Sequence, residues 1–157
     1  MTSNAASLTK KNTPTVREDY PVFYQIATRW GDNDTYGHVN NVVYYSYVDS
    51  AVNRHLIENK LLDLTRSEII GLVVENRCTF FSSIAFPDMV HVGLKVTDLG
   101  NSSVRYEVGL FRNDEVIASA VAGFVHVYVE RASNRPVPIP PAVRQVLARL
   151  SLPGVTP

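Results

Sequence analysis

The sequence predicts a single α+β domain in which a five-stranded antiparallel sheet wraps around one long helix. Three observations predict it. One run keeps apolar residues at helical spacing from Asn41 to Asn59, one strand-like run precedes it, and four strand-like runs separated by turn residues follow. A length of 157 residues suits one domain with its own core, and neither an internal repeat nor a composition break marks a second.

Taken in order, residues 1–18 read as a polar, mobile arm and residues 19–150 as the domain, with 151–157 as a tail. Val22 to Trp30 has strand character, with Val22, Tyr24, Ile26 and Thr28 on one face. From Asn41 to Asn59, Tyr45, Val48, Val52 and Leu56 recur at helical spacing, and Tyr44, Tyr47 and Ala51 widen the stripe. Such a helix is about 27 Å long, and a face that broad predicts burial against a sheet. Ile69 to Ile84 is a long strand and Met89 to Asp98 a second, ended by the turn Leu99-Gly100-Asn101. Ser103 to Phe111 alternates cleanly, with Val104, Tyr106, Val108 and Leu110 on one face. After Asn113-Asp114, Val116 to Val129 is the last strand. Its Ala118, Ala120 and Ala122 make a small-residue surface for a helix, and Gly123 marks a bulge or a close backbone approach. The tail from Arg135 holds six of the nine prolines and then one short amphipathic turn or two, Ala142 to Leu150.

Composition narrows the function classes. Fifteen basic residues balance fifteen acidic ones, so nothing points to nucleic acid or an anionic membrane. No run approaches the roughly 20 apolar residues of a membrane helix, and the N-terminal residues lack a secretory apolar stretch. A cytoplasmic protein is expected. Cys78, the only cysteine, lies in an apolar strand and reads as a small core residue. His55, His91 and His126 lack ligand spacing, so no metal is expected.

The chemistry is concentrated in Asp32-Asn33-Asp34-Thr35-Tyr36-Gly37-His38-Val39-Asn40-Asn41, directly before the helix. Free amides at a helix start can polarise a bound carbonyl while a nearby carboxylate attacks it or activates a water. Asp34 is either that carboxylate or a loop aspartate capping a turn. Gly37 supplies a positive-φ turn, and Asn40 or Asn41 caps the helix. Asp49 within the helix and Glu75 in the following strand are lesser carboxylate candidates.

The segment Arg29 to Asn41, with Tyr44-Tyr45-Ser46-Tyr47 beyond it and the tail Asn134 to Pro140, resembles the signature of the hotdog-fold acyl-CoA thioesterases of the 4-hydroxybenzoyl-CoA thioesterase type. The resemblance covers roughly residues 20–150, and the D-x-D-x-x-G-H-V-N-N block carries most of it. It implies a hotdog fold, a homodimer or homotetramer joined by sheet edges, and an active site at the subunit interface where the pantetheine arm of CoA enters. It places the catalytic carboxylate on Asp34 and the polarising backbone N–H on Asn41.

Thioester hydrolysis of this kind needs no metal or organic cofactor, since the acyl group is already activated. His38 either orients a water or the thioester, or satisfies the loop backbone. Asp32 supports the loop or raises the Asp34 pKa, and Tyr44 and Tyr45 are candidate acyl contacts. Arg77, Arg105, Arg112, Arg131 and Arg135 are candidates for the CoA nucleotide by charge alone. Three alternatives stay open: a thioesterase of acyl-carrier-protein substrates, a hydratase or dehydratase on the same fold, and a non-catalytic acyl-CoA-binding protein. The block preceding the helix argues against the hydratase.

Overall fold

A computed structural model of the chain describes residues 13–151. Five strands, β1 (Val22–Ala27), β2 (Ile69–Phe80), β3 (Met89–Leu99), β4 (Ser103–Arg112) and β5 (Ala120–Glu130), form one sheet in the order β1-β3-β4-β5-β2. Every neighbouring pair is antiparallel. Helix α1 (Asn41–Glu58) has 18 residues and packs on one face over β2 and β3, while α2 (Pro141–Ala148) packs beside β3.

The alternation read in the sequence sets the core. Val104, Tyr106, Val108 and Leu110 of β4, with Ala120, Ala122 and Phe124 of β5, face Tyr44, Tyr47, Val48, Ala51, Val52 and Leu56 of α1. Val48, Ala51 and Val52 are wholly buried, and each buried valine contributes about 1.5–3 kcal/mol. The helical stripe is rotated from the expected one: Tyr45 stays half-buried, and His55 enters the core instead. The His55 ring can be buried there because its Nδ1 meets the Tyr24 hydroxyl at 2.7 Å.

Strand limits differ from the sequence pattern at three places. β1 stops at Ala27, where the chain turns into a short 3₁₀ segment, Trp30–Asp32. β2 stops at Phe80, because the backbone N–H groups of Phe81 and Ser82 both donate to the Ser119 carbonyl, at 2.8 and 3.1 Å. β5 begins at Ala120 rather than Val116, since Val116 and Ala118 bond to the N-terminal residues Arg17 and Thr15. Ala118 accordingly joins Tyr20 and Phe111 in a smaller cluster on the other face, apart from Ala120 and Ala122.

Residues 13–18 lie against the body: Val16 bridges Ile117, and the Arg17 guanidinium donates to the Glu115 and Asn113 carbonyls. Residues 1–12 of the expected arm, and 152–157 of the expected tail, lie outside the described residues. Gly123 marks a close approach: a Cβ there would come within 2.6 Å of the Arg77 Nε. The ladder irregularities fall elsewhere, at Val73/Glu75 and Val96/Asp98.

The proline-rich segment returns along β5. The Val137 N–H donates to the Tyr128 carbonyl at 2.9 Å, and Ile139, Val143, Leu147 and Leu150 enter the core. Among the described residues no helix is long and apolar enough to cross a membrane.

Candidate active site

The loop between β1 and α1 is built on Asp32. Its side chain is 1% exposed and accepts from the Arg29 backbone N–H at 2.8 Å and the Tyr47 hydroxyl at 2.8 Å. The Arg29 guanidinium completes the set, with Nε at 3.0 Å and Nη2 at 2.9 Å from Oδ1. Burial by itself would raise this carboxyl. The Arg29 backbone N–H, the Tyr47 hydroxyl and the Arg29 guanidinium outweigh it and hold the pKa below the ordinary carboxylate value. The backbone carbonyl of Asp32 accepts from the Asn40 N–H at 2.8 Å, tying the loop's start to the helix cap.

Asp34 stands at the tip. Its backbone N–H donates to the His38 carbonyl at 2.7 Å, and its carbonyl accepts from the Gly37 N–H at 3.1 Å. Gly37 has φ +81°, the left-handed turn that an L side chain rarely adopts. The Tyr36 N–H, at 2.8 Å, and more weakly the His38 N–H, at 3.4 Å, donate to Asp34 Oδ1. Oδ2 takes no hydrogen bond from the described residues, so one carboxylate oxygen is held and the other is free to react.

The helix start completes the arrangement. The Asn40 side chain accepts from the Val42 N–H at 3.3 Å and so caps α1. The Asn41 N–H, first in the helix, has no partner among the described residues. It lies at the positive end of the helix dipole.

Asp34, His38, Asn41 and Tyr44 line one cavity of about 370 Å³, together with Val39, Phe80, Phe81, Ser82 and Ser83. The last four come from the end of β2 and its loop and were not singled out in the sequence. Only the break in alternation at Phe80-Phe81-Ser82-Ser83 hinted at them. They reach the site because the Val39 N–H donates to the Ile84 carbonyl at 2.8 Å and the Phe86 N–H donates to Asn33 Oδ1 at 3.0 Å. The Tyr44 ring, 3% exposed, stands edge-on to Phe80 with centroids 4.9 Å apart. Asp34 also lines a second cavity of about 290 Å³ with Trp30, Asn33, Thr35 and Gly37.

Other candidates lie apart from this cluster. Tyr45 lines neither cavity. Asp49 is exposed and accepts from the Asn53 amide at 3.1 Å. Glu75 pairs with Arg105 at 2.8 Å, and Arg77 stands 3.7 Å from it. Arg112 pairs with Glu115, and Arg131 donates to the Leu64 carbonyl at 3.1 Å. Cys78 is half-buried against the core, and burial pushes its thiol up to about 11, which leaves it protonated at neutral pH. The described residues hold no group of three His, Cys, Asp or Glu placed to bind a metal ion.

A carboxylate with one free oxygen, lining one cavity with an unpaired helix-start amide, offers the groups that acyl transfer needs. Residues 28–147 match the family model of the thioesterase-like superfamily. The chain belongs to the thioesterase-like superfamily. Its fold matches several solved structures. The PA5185 protein from Pseudomonas aeruginosa strain PAO1 is 51% identical with a TM-score of 0.87, over 89% of this chain and 98% of that one. A thioesterase from Thermus thermophilus, solved with coenzyme A and zinc, is 32% identical with a TM-score of 0.71, over 85% of this chain and 96% of that one. BH1999 gentisyl-coenzyme A thioesterase is 26% identical with a TM-score of 0.71, over 80% of this chain and 99% of that one. No curated protein sequence matches the chain.

Proposed function

We propose that this protein is an acyl-CoA thioesterase, hydrolysing an acyl-CoA to a carboxylic acid and free CoA. The observation that carries the reading is the pairing, in one cavity, of the free Asp34 carboxylate oxygen with the start of α1 at Asn41. The thioester carbonyl oxygen points at the Asn41 N–H, where the helix dipole stabilises the charge that develops on it. Asp34 then acts in one of two ways. As nucleophile it forms a mixed anhydride, expels the CoA thiolate and is regenerated by water; as general base it takes the proton of a water that attacks the same carbon. His38 orients the water or the carbonyl, while Gly37 and the buried Asp32 hold the loop in shape.

Tyr44 and Phe80 wall the part of the cavity that takes the acyl group, so the substrate's first carbons meet aromatic edges. The reaction as written needs no cofactor. CoA rather than a carrier protein is favoured as the thiol carrier by the relatives that bind or act on CoA thioesters. A second copy joins along β2, an edge strand of 12 residues that leaves Leu72, Val73 and Val74 exposed.

The test is release of free thiol from a panel of short, medium, long and aromatic acyl-CoAs. At least one is cleaved, and Asp34→Asn and Asp34→Ala each lower kcat by at least about a hundredfold. Wild-type rates in both variants would refute the assignment of Asp34.

A further inference from the structure

We propose that Asp88 and Asn113 are positioning residues, a clamp that sets the cavity wall Phe80 to Ser83 and thereby selects the acyl group. The inference rests on the hydrolase reading of Asp34 and goes beyond it, because neither residue lines either cavity. The wall is a short segment leaving the end of β2. At its near end the Phe81 and Ser82 N–H groups are held by the Ser119 carbonyl, at 2.8 and 3.1 Å. Beyond its far end Ile84 is wholly buried, and the turn Ala85 to Asp88 follows. Whatever holds that turn fixes where the wall stands, and with it the room beside the Tyr44 and Phe80 rings.

Asp88 is anchored by its own backbone. Its N–H donates to the Ala85 carbonyl at 2.8 Å, and its carbonyl accepts from the Thr28 N–H at 3.2 Å, just past the end of β1. From that fixed point its two carboxylate oxygens serve different elements. Oδ2 accepts from the Ala85 N–H at 3.0 Å, and Oδ1 accepts from Asn113 Nδ2 at 2.9 Å. The first bond is what a loop aspartate does in closing its own turn. The second reaches the connection between β4 and β5, and closing the turn does not require it.

Asn113 is held ready for that bond. Its φ of +50° lies in the left-handed region that asparagine and aspartate tolerate best among L residues. Its N–H donates to the Met89 carbonyl at 2.8 Å, and its Oδ1 accepts from the Met89 N–H at 2.8 Å. With the oxygen so engaged, the NH₂ is the group left to face Asp88. The neighbouring Arg112 reaches the Ser83 carbonyl at 3.5 Å, so the same turn also touches the wall directly. The donors and acceptors match one to one. Asp88→Asn sets an NH₂ against the Ala85 N–H or against the Asn113 amide, and Asn113→Asp sets a second carboxylate against the first. Exchanging the two residues restores every bond. The amide at 88 then accepts from Ala85 with its oxygen and donates to the carboxylate at 113, whose other oxygen accepts from Met89.

The test compares kcat/KM for two acyl-CoAs of different acyl length, using the full-length protein. Their ratio shifts at least about fivefold in Asp88→Asn and in Asn113→Asp, with kcat on the preferred thioester within about threefold of wild type. Asn113→Gly, which keeps the left-handed turn and deletes only the amide, shifts the ratio in the same direction. The double exchange Asp88→Asn/Asn113→Asp returns it to within about twofold of wild type. A purely structural role would lower Tm in the single variants and leave the ratio alone. That result, or a double exchange as altered as the single variants, would overturn the clamp. Amide hydrogen exchange gives a readout that needs no activity. The Val39 N–H, held by the Ile84 carbonyl at 2.8 Å, exchanges at least about fivefold faster in each single variant and recovers in the double, while Val108 in β4 is unchanged. If the wild type hydrolysed no acyl-CoA, the hydrolase reading would fail, while an unchanged Val39 exchange in the single variants would separately overturn the clamp.

Discussion

Removal of the Tyr47 hydroxyl tests whether the Asp32 brace holds the loop that carries Asp34. In Tyr47→Phe the ring still fills its place in the core, where the tyrosine is 4% exposed, but the 2.8 Å bond to Asp32 Oδ2 is lost. Asp32 is itself 1% exposed, so water cannot readily replace the donor. A hydrogen bond to a buried charge is worth about 1.5–3 kcal/mol, which gives an expected loss of about 2 kcal/mol. For a chain of this size that lowers Tm by about 4–8 °C. The loss also has a pH signature. Burial raises the Asp32 pKa, but the Arg29 N–H, the Tyr47 hydroxyl and the Arg29 guanidinium depress it overall, so ionised Asp32 stabilises the fold above its ordinary value of 3.8. That contribution is lost as pH falls through the depressed folded value. The difference between wild type and Tyr47→Phe is therefore full at pH 7 and narrows below pH 3.8. Urea unfolding of both proteins from pH 7 down to the acid limit of folding measures it, with kcat for thiol release recorded alongside. Since Asp34 stands two residues from Asp32, kcat falls while KM for acyl-CoA holds. A Tm unchanged to within a degree, or a stability difference independent of pH, would refute the brace.

Two further outcomes are expected. His126 is 1% exposed beside Phe124 and Tyr106, and burial lowers its pKa from 6.5 to about 4, so the folded state keeps it neutral while the unfolded chain takes up a proton. Its contribution is full above pH 6.5 and lost by about pH 4, about 3 kcal/mol at 1.36 kcal/mol per pH unit; urea unfolding of His126→Leu should lack that part of the acid loss, and equal losses in both proteins would refute it. Val74, 61% exposed at the irregularity of the β2 edge, is the place to break the proposed pairing of two copies. Val74→Lys converts the oligomer to monomer by light scattering at micromolar concentration, and a monomeric wild type would refute the edge-to-edge reading.

The sequence revealed what local patterning encodes and concealed what long-range closure creates. The alternation of β4 placed Val104, Tyr106, Val108 and Leu110 on one face, and the structure buries all four. The spacing of α1 gave its length, but not the rotation that replaces Tyr45 with His55. That exchange depends on a hydroxyl from Tyr24 on another element. The strand limits near Phe80 and Val116 failed for a related reason: Ser119 and the N-terminal residues Thr15 and Arg17 take the backbone bonds that continued strands would have used.

The site divides in the same way. Asp34, Gly37, His38, Asn40 and Asn41 lie within eight positions of one another, so a short motif could carry the loop, the turn and the cap together. Phe80 to Ser83 and Phe86 lie more than thirty residues further along the chain. They meet the loop through two bonds, Val39 N–H to the Ile84 carbonyl and Phe86 N–H to Asn33 Oδ1, that no local pattern announces. On the proposed reading the motif sets the chemistry while the distant segment sets the shape around it. It follows that substitutions in residues 80–86 should alter which thioester is accepted more than the rate at which a well-held one is cleaved. Substitutions at Asp34 should do the reverse. The division also explains why a motif that suggests the reaction left the acyl group unnamed.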